Sequence, residues 1–163
     1  VRFGFPPERL WPYDADRFAA TPTAFTYGFD RVLRGCRYVR LDHPERNADD
    51  TLRQVQSFLA SGFTCVFGAA LPTSLEPPDI HFPLEQDDCQ DGHALHCVGY
   101  DDQRRIRSDK GAFLVQPAWG SHWGEGGFAW LPYRYLMEGL AVDYWVLLRG
   151  KWLKTGEFSK PLV

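Results

Sequence analysis

The chain has 163 residues, 44% hydrophobic and 15% aromatic, enough to bury a respectable core, and its length favours one domain. Its net charge is −3 with both signs interspersed, so it carries no electrostatic footprint for nucleic acid or for an anionic membrane surface. No apolar run approaches the roughly 18 residues that a membrane span needs.

The sequence opens at Val1 with no positively charged, apolar leader. A leader or a larger N-terminal portion is therefore expected to have been removed, or to lie in another chain. Pro6-Pro7 followed by Glu8-Arg-Leu-Trp-Pro12 predicts a short helical turn, started by proline and stopped by Pro12. Asp14 to Arg34 is mixed and reads as an irregular connection with little helix. Tyr38 to Leu41 alternates weakly and reads as a strand.

Asn47 to Ser61 carries the clearest helical pattern. Asn47 can accept from the first free amides, Asp49 and Asp50 suit the first turn, and Leu52, Val55, Phe58 and Leu59 form one apolar face. Gly62 supplies the stop. Phe63 to Gly68 follows as a buried strand. Leu71 to Gly92 is a long loop with four prolines and an acidic run; loops of this length are usually functional or mobile, and this one is expected to overhang whatever His93 does.

Three extended segments come next: His93 to Tyr100, Ala112 to Gln116 and Phe128 to Leu131, with a polar gap between the first two. A glycine-rich turn bearing Trp119 and Trp123 separates the last two. Structural turns rarely need two indoles among so many glycines, so the backbone is expected to fold closely around a site. Ala141 to Leu148 reads as a closing strand, and the tail Lys151 to Val163, with Trp152, Leu153 and Phe158, is expected to dock on something. The pattern fits an α+β fold: an antiparallel, partly closed β-barrel with one main helix and short flanking helices.

Gly92-His93-Ala94 through Val98-Gly99-Tyr100, with Trp119-Gly120-Ser121-His122-Trp123-Gly124-Glu125-Gly126-Gly127, resembles the C-terminal, histidine-bearing lobe of the papain-like cysteine peptidases. The resemblance extends weakly from about Gly4-Phe-Pro-Pro-Glu to Asp143-Tyr-Trp-Val146. It implies that residues 1–34 are a connection from the N-terminal lobe, 35–150 the β-barrel domain and 151–163 a C-terminal tail. It implies further that His93 is the catalytic base, possible also as a vestige, that Gly92, Ala94 and Trp119 border the substrate, and that the substrate of an active form is a peptide. No cofactor and no metal are implied. One position departs from the family's pattern: Pro117 stands where the family carries the asparagine that orients the histidine, and Asn47 is the only asparagine in the chain.

Thiol chemistry of this kind needs a thiolate, an imidazole within reach and a third group to fix that imidazole. The family's histidine and asparagine follow the nucleophile by about 130–150 residues, which from position 93 falls before Val1. None of Cys36, Cys65, Cys89 and Cys97 lies in a Cys-Gly-Ser-Cys-Trp-like context. Cys97 shares a strand face with His93 but stands roughly 13 Å along it, too far for proton transfer. Cys89 could approach His93 from the loop, yet nothing near it lowers a thiol pKa. Cys89, His93, His96 and Cys97 are compact in sequence like zinc ligands, but strand alternation points His96 away from the others. Cys36 and Cys89 lie in loop-like surroundings, and their pairing is open.

Two readings follow. In one, this chain is the inactive histidine half of a split or processed peptidase whose cysteine half is another chain. In the other, it is a non-catalytic scaffold or binding subunit of a larger assembly that kept the fold and lost the chemistry. Both expect a protein partner, because a lone lobe leaves an apolar face wet.

Overall fold

The computed structural model describes residues 7–28, 36–89 and 92–149. Residues 38–147 form one compact unit, and residues 7–28 belong to a second. In the second unit the amides of Leu10 and Trp11 donate to the Pro7 carbonyl, giving the turn expected after the proline pair. A 3-10 turn, Ala15–Arg17, is capped by Asp14, whose carboxylate accepts from the Asp16 amide, and helix α1 spans Ala24–Gly28. The connection therefore holds two short helical pieces. The tail 151–163 lies outside the described residues.

Helix α2, Ala48–Ala60, starts where its cap predicts: the Asn47 side chain accepts from the Asp50 amide at 2.8 Å. Val55 is fully buried against the sheet. Its neighbour Gln56 donates to Asp102 at 2.7 Å, while Tyr133 donates to the same carboxylate at 2.9 Å, which ties the helix to β3. The strands are β1 (Cys36–Arg40), β2 (Cys65–Ala70), β3 (Gly92–Ile106), β4 (Asp109–Gln116), β5 (Ala129–Pro132) and β6 (Ala141–Arg149), with helix α3 at Arg134–Met137. They form one sheet in the order β1-β6-β2-β3-β4-β5.

The sheet is open, not partly closed into a barrel. Its edges are the short strands β1 and β5, and β1 buries only Cys36 of its five residues, so nothing draws the two edges together. The polar gap after Tyr100 also belongs to the sheet: β3 runs on to Ile106 and turns into β4 through Arg107, which is left-handed at φ 53°. Register shifts between Cys97 and Gly99 and between Asp101 and Arg105 interrupt the β3–β4 ladder, and Ile106 at the end of β3 is again buried.

The core is aromatic. Phe67 stacks on Tyr144 with centroids 4.6 Å apart, and Phe113 packs against Tyr133 at 4.7 Å. Antiparallel register places Cys65 opposite Cys97, Phe67 opposite Leu95 and Ala69 opposite His93. Partners across a ladder share a face. His93 thus ends the row Cys97, Leu95, His93, at the mouth of β3, where the core meets solvent.

Candidate active site

His93 is half-buried, and its ring meets Trp119 edge-on with centroids 5.1 Å apart. Trp119, 37% exposed, in turn meets Trp123 at 4.6 Å. The turn after β4 makes this stack. The Gly127 amide donates to the Trp123 carbonyl at 2.8 Å and the Glu125 amide to the Phe128 carbonyl at 2.9 Å. Gly124 must be glycine: at φ 59°, a Cβ there would lie 2.2 Å from the Phe128 carbonyl oxygen. The glycines fold the chain so tightly that both indoles emerge on one side, and one of them reaches the imidazole.

Beside His93 lies an open cleft of about 460 Å³, walled by Gly68, Ala70, Gly92, Ala94, Leu140 and Val142 among others. Apart from His93 itself, its lining carries no ionisable side chain. Of the residues singled out from the sequence, Gly92, His93 and Ala94 come together here, and Trp119 touches the imidazole.

Pro117 is buried at the end of β4. Gln116 pairs across the ladder with His96, on the face away from His93, so it does not stand in for an orienting amide. The same register separates His96 from His93 and Cys97, and the compact Cys/His spacing does not converge on one point.

The cysteines nearest His93 in sequence are poor nucleophiles. Cys97 is fully buried against its strand partner Cys65; a hydrogen bond with the Cys65 thiol, burial and the charge Cys65 would carry push its thiol far up. Cys89 is half-buried, and burial followed by the charges of Asp87 and Asp88 raises its pKa too. Both shifts oppose the thiolate. All four cysteines are free, so the pairing left open for Cys36 and Cys89 is not made.

The loop before His93 holds what the sequence did not reveal. Residues 71–89 do not line the cleft; they are pinned along β5 and α3. The Ile80 amide donates to the Trp130 carbonyl and the Trp130 amide to the Pro78 carbonyl, both at 2.8 Å. His81 is 2% exposed, and its Nε2 lies 3.3 Å from both Ser74 Oγ and Asp87 Oδ2. Asp87 also accepts from Ser74 Oγ and, at 2.8 Å, from the Leu84 amide, and Tyr135 donates to the His81 carbonyl at 2.8 Å. Serine, histidine and aspartate meet here, but Ser74 and Asp87 share one ring nitrogen and Nδ1 is buried without a partner. A hydrolytic relay needs the two nitrogens on different partners. This cluster is a structural knot. Ile80 and Phe82, apolar and flanking His81 among prolines, were the available signal that this part of the loop would pack inward.

Residues 83–140 match the model of the papain family cysteine proteases. An uncharacterized peptidase C1-like protein, L477 of Acanthamoeba polyphaga mimivirus, is 30% identical over 154 residues, which are 90% of this chain and 48% of that protein. The chain thus spans about half the length of the curated relative it matches. Xylellain, a cysteine protease from Xylella fastidiosa, superposes with a TM-score of 0.71 at 30% identity, over 91% of this chain and 57% of its own. Bromelain from Ananas comosus, solved in complex with the E64 inhibitor, shares the fold at a TM-score of 0.55 and 19% identity, over 91% of this chain and 64% of its own. The fold of this chain is papain-like, and residues 83–140 carry the similarity to the papain family cysteine proteases.

Proposed function

We infer that this papain-like chain is the histidine-bearing half of a cysteine peptidase and that these 163 residues by themselves do not cleave peptides. The observation that carries the reading is His93: it stands against Trp119 at the edge of an uncharged cleft, while Cys97 and Cys89, nearest to it in sequence, are both held as thiols. In the assembled enzyme His93 takes the proton from a thiol on a cysteine-bearing half. The thiolate adds to a peptide carbonyl, the amide C–N bond breaks, and the imidazolium gives its proton to the leaving amine. Water then cleaves the thioester, with the same imidazole as base. Gly92 and Ala94 border the bound peptide, and Trp119 keeps water from one edge of the imidazole. Exposed Tyr38, Val66 and Val142, on neighbouring strands β1, β2 and β6, support a protein partner.

A specific observation favours the second reading, a scaffold or binding subunit that has lost the chemistry. Pro117, at the position of the family's asparagine, has neither a polar side chain nor an N–H with which to fix the imidazole. Loss of an orienting group weakens such a site without always abolishing it. The test is to treat the native assembly with an epoxide thiol probe and read the adduct by mass. The peptidase reading expects one labelled cysteine on the partner, lost in His93→Ala, and no adduct on the purified chain. Absence of His93-dependent labelling leaves the scaffold reading alone.

A further inference from the structure

Strand β6 does not run evenly past β2. Val66 pairs with Trp145 and Gly68 with Val142, so Phe67 faces two residues, Asp143 and Tyr144. The extra residue makes a β-bulge, and Asp143 is left-handed there at φ 61°. Regular alternation would turn Val142 and Tyr144 to the same face. Instead Tyr144 is fully buried on Phe67, whereas Val142 is 49% exposed and lines the cleft that holds His93. One inserted residue sends the two side chains opposite ways.

A carboxylate from outside β6 holds that insertion. Asp42 Oδ2 accepts from the Asp143 amide at 2.7 Å, and its Oδ1 accepts from the Tyr144 amide at 3.0 Å. The Leu41 amide donates to the Tyr144 carbonyl at 2.8 Å. Arg40 completes the clamp, with Nε 3.1 Å from Asp42 Oδ1 and Nη2 2.9 Å from Asp143 Oδ1. A left-handed backbone is uncommon for any residue but glycine, and both bulge amides here end on one side chain.

We propose that Asp42 is a positioning residue for the cleft: its carboxylate fixes the bulge at Asp143, and the bulge sets Val142 into the cleft wall beside His93. What the wall selects, the side chain of a bound peptide, rests on the reading of the cleft as a peptide site; the geometry does not.

The experiment uses the whole chain with labelled valine methyls. Wild type shows a cross-strand nuclear Overhauser contact between Val142 methyls and the Gly68 α-protons. In Asp42→Ala this contact is lost, and the Asp143 and Tyr144 amides exchange with solvent about ten-fold faster. Adding Asp143→Gly restores the Val142 contact, because glycine takes the left-handed conformation unaided, while the two amides stay fast. A merely structural Asp42 would not be rescued in this way. Titration with N-acetyl-valyl-alaninamide gives equal affinity for wild type and the double variant, and about ten-fold weaker binding to Asp42→Ala. An unchanged Val142 contact in Asp42→Ala, or no rescue by Asp143→Gly, overturns the proposal. Should Asp42→Ala not fold, the double variant decides alone, since it must fold and keep the contact. A probe that binds no form, beside the expected contacts, rejects the peptide site and upholds the positioning role.

Discussion

Two histidines twelve positions apart have opposite fates in this chain. His81 is buried beside a serine and an aspartate, the residue types of a hydrolase site, but both share its Nε2 while Nδ1 is left without a partner. His93 has a tryptophan beside it and an open cleft in front of it. Residue type alone does not separate them. Exposure does: a general base must reach a proton that arrives from outside, which the reading proposed for His93 requires and the burial of His81 opposes. The comparison also shows a division of labour: the knot fastens the loop that precedes β3, and the strand's first residues are left to form the cleft.

The display side breaks most severely at a glycine. Gly124→Ala drives a Cβ into the Phe128 carbonyl oxygen at a left-handed position, and a clash with backbone has no side chain to yield. The expected cost is more than about 3 kcal/mol in urea unfolding, with altered tryptophan fluorescence as the indole pair separates from His93. A stable variant with native fluorescence would mean that the turn tolerates a different path.

The knot breaks next. His81→Ala removes a fully buried ring, leaves a cavity and takes one partner from Asp87, at an expected cost of about 3 kcal/mol. Acid probes the same knot without mutation. Hydrogen bonds from Ser74 and the Leu84 amide, then the hydrogen bond and charge of His81, hold Asp87 below the usual carboxylate range. A depressed folded pKa contributes stability that is complete above the unfolded value of about 3.9 and disappears as pH falls through the folded one. Urea midpoints across that acid window should fall more steeply for wild type than for Asp87→Asn. Parallel slopes would show that the carboxylate is not held as described.

Much of this contrast was legible in the sequence, on one side only. The Asn47 cap with its apolar stripe gave α2 nearly to the residue, and the bounded apolar runs gave the central strands. That His93 and Trp119 lie close was legible because a strand's period and a glycine-rich turn are local patterns. The knot was not found, because Ser74, His81 and Asp87 meet only through the path of an irregular loop, which no period describes. The bulge at Asp143 was missed for a related reason: its carboxylate comes from Asp42, 101 positions away, while β6 alone reads as an ordinary alternating strand. The open sheet was misjudged because closure depends on edge strands whose sequences say little about their outer neighbours.

The smallest expected effect on stability sharpens the contrast most. His93→Ala removes a half-buried ring whose recorded ring contact is an edge-on meeting with a partly exposed indole, so the fold should change by no more than about 0.5 kcal/mol. The same substitution abolishes any thiol labelling of the native assembly, since His93 is the one histidine among the described residues that lines the cleft. A histidine that holds the fold loses stability when removed, and one that serves chemistry loses reactivity. If His93→Ala instead unfolded the chain as readily as His81→Ala does, the two would share a structural role and the division between knot and cleft would fail.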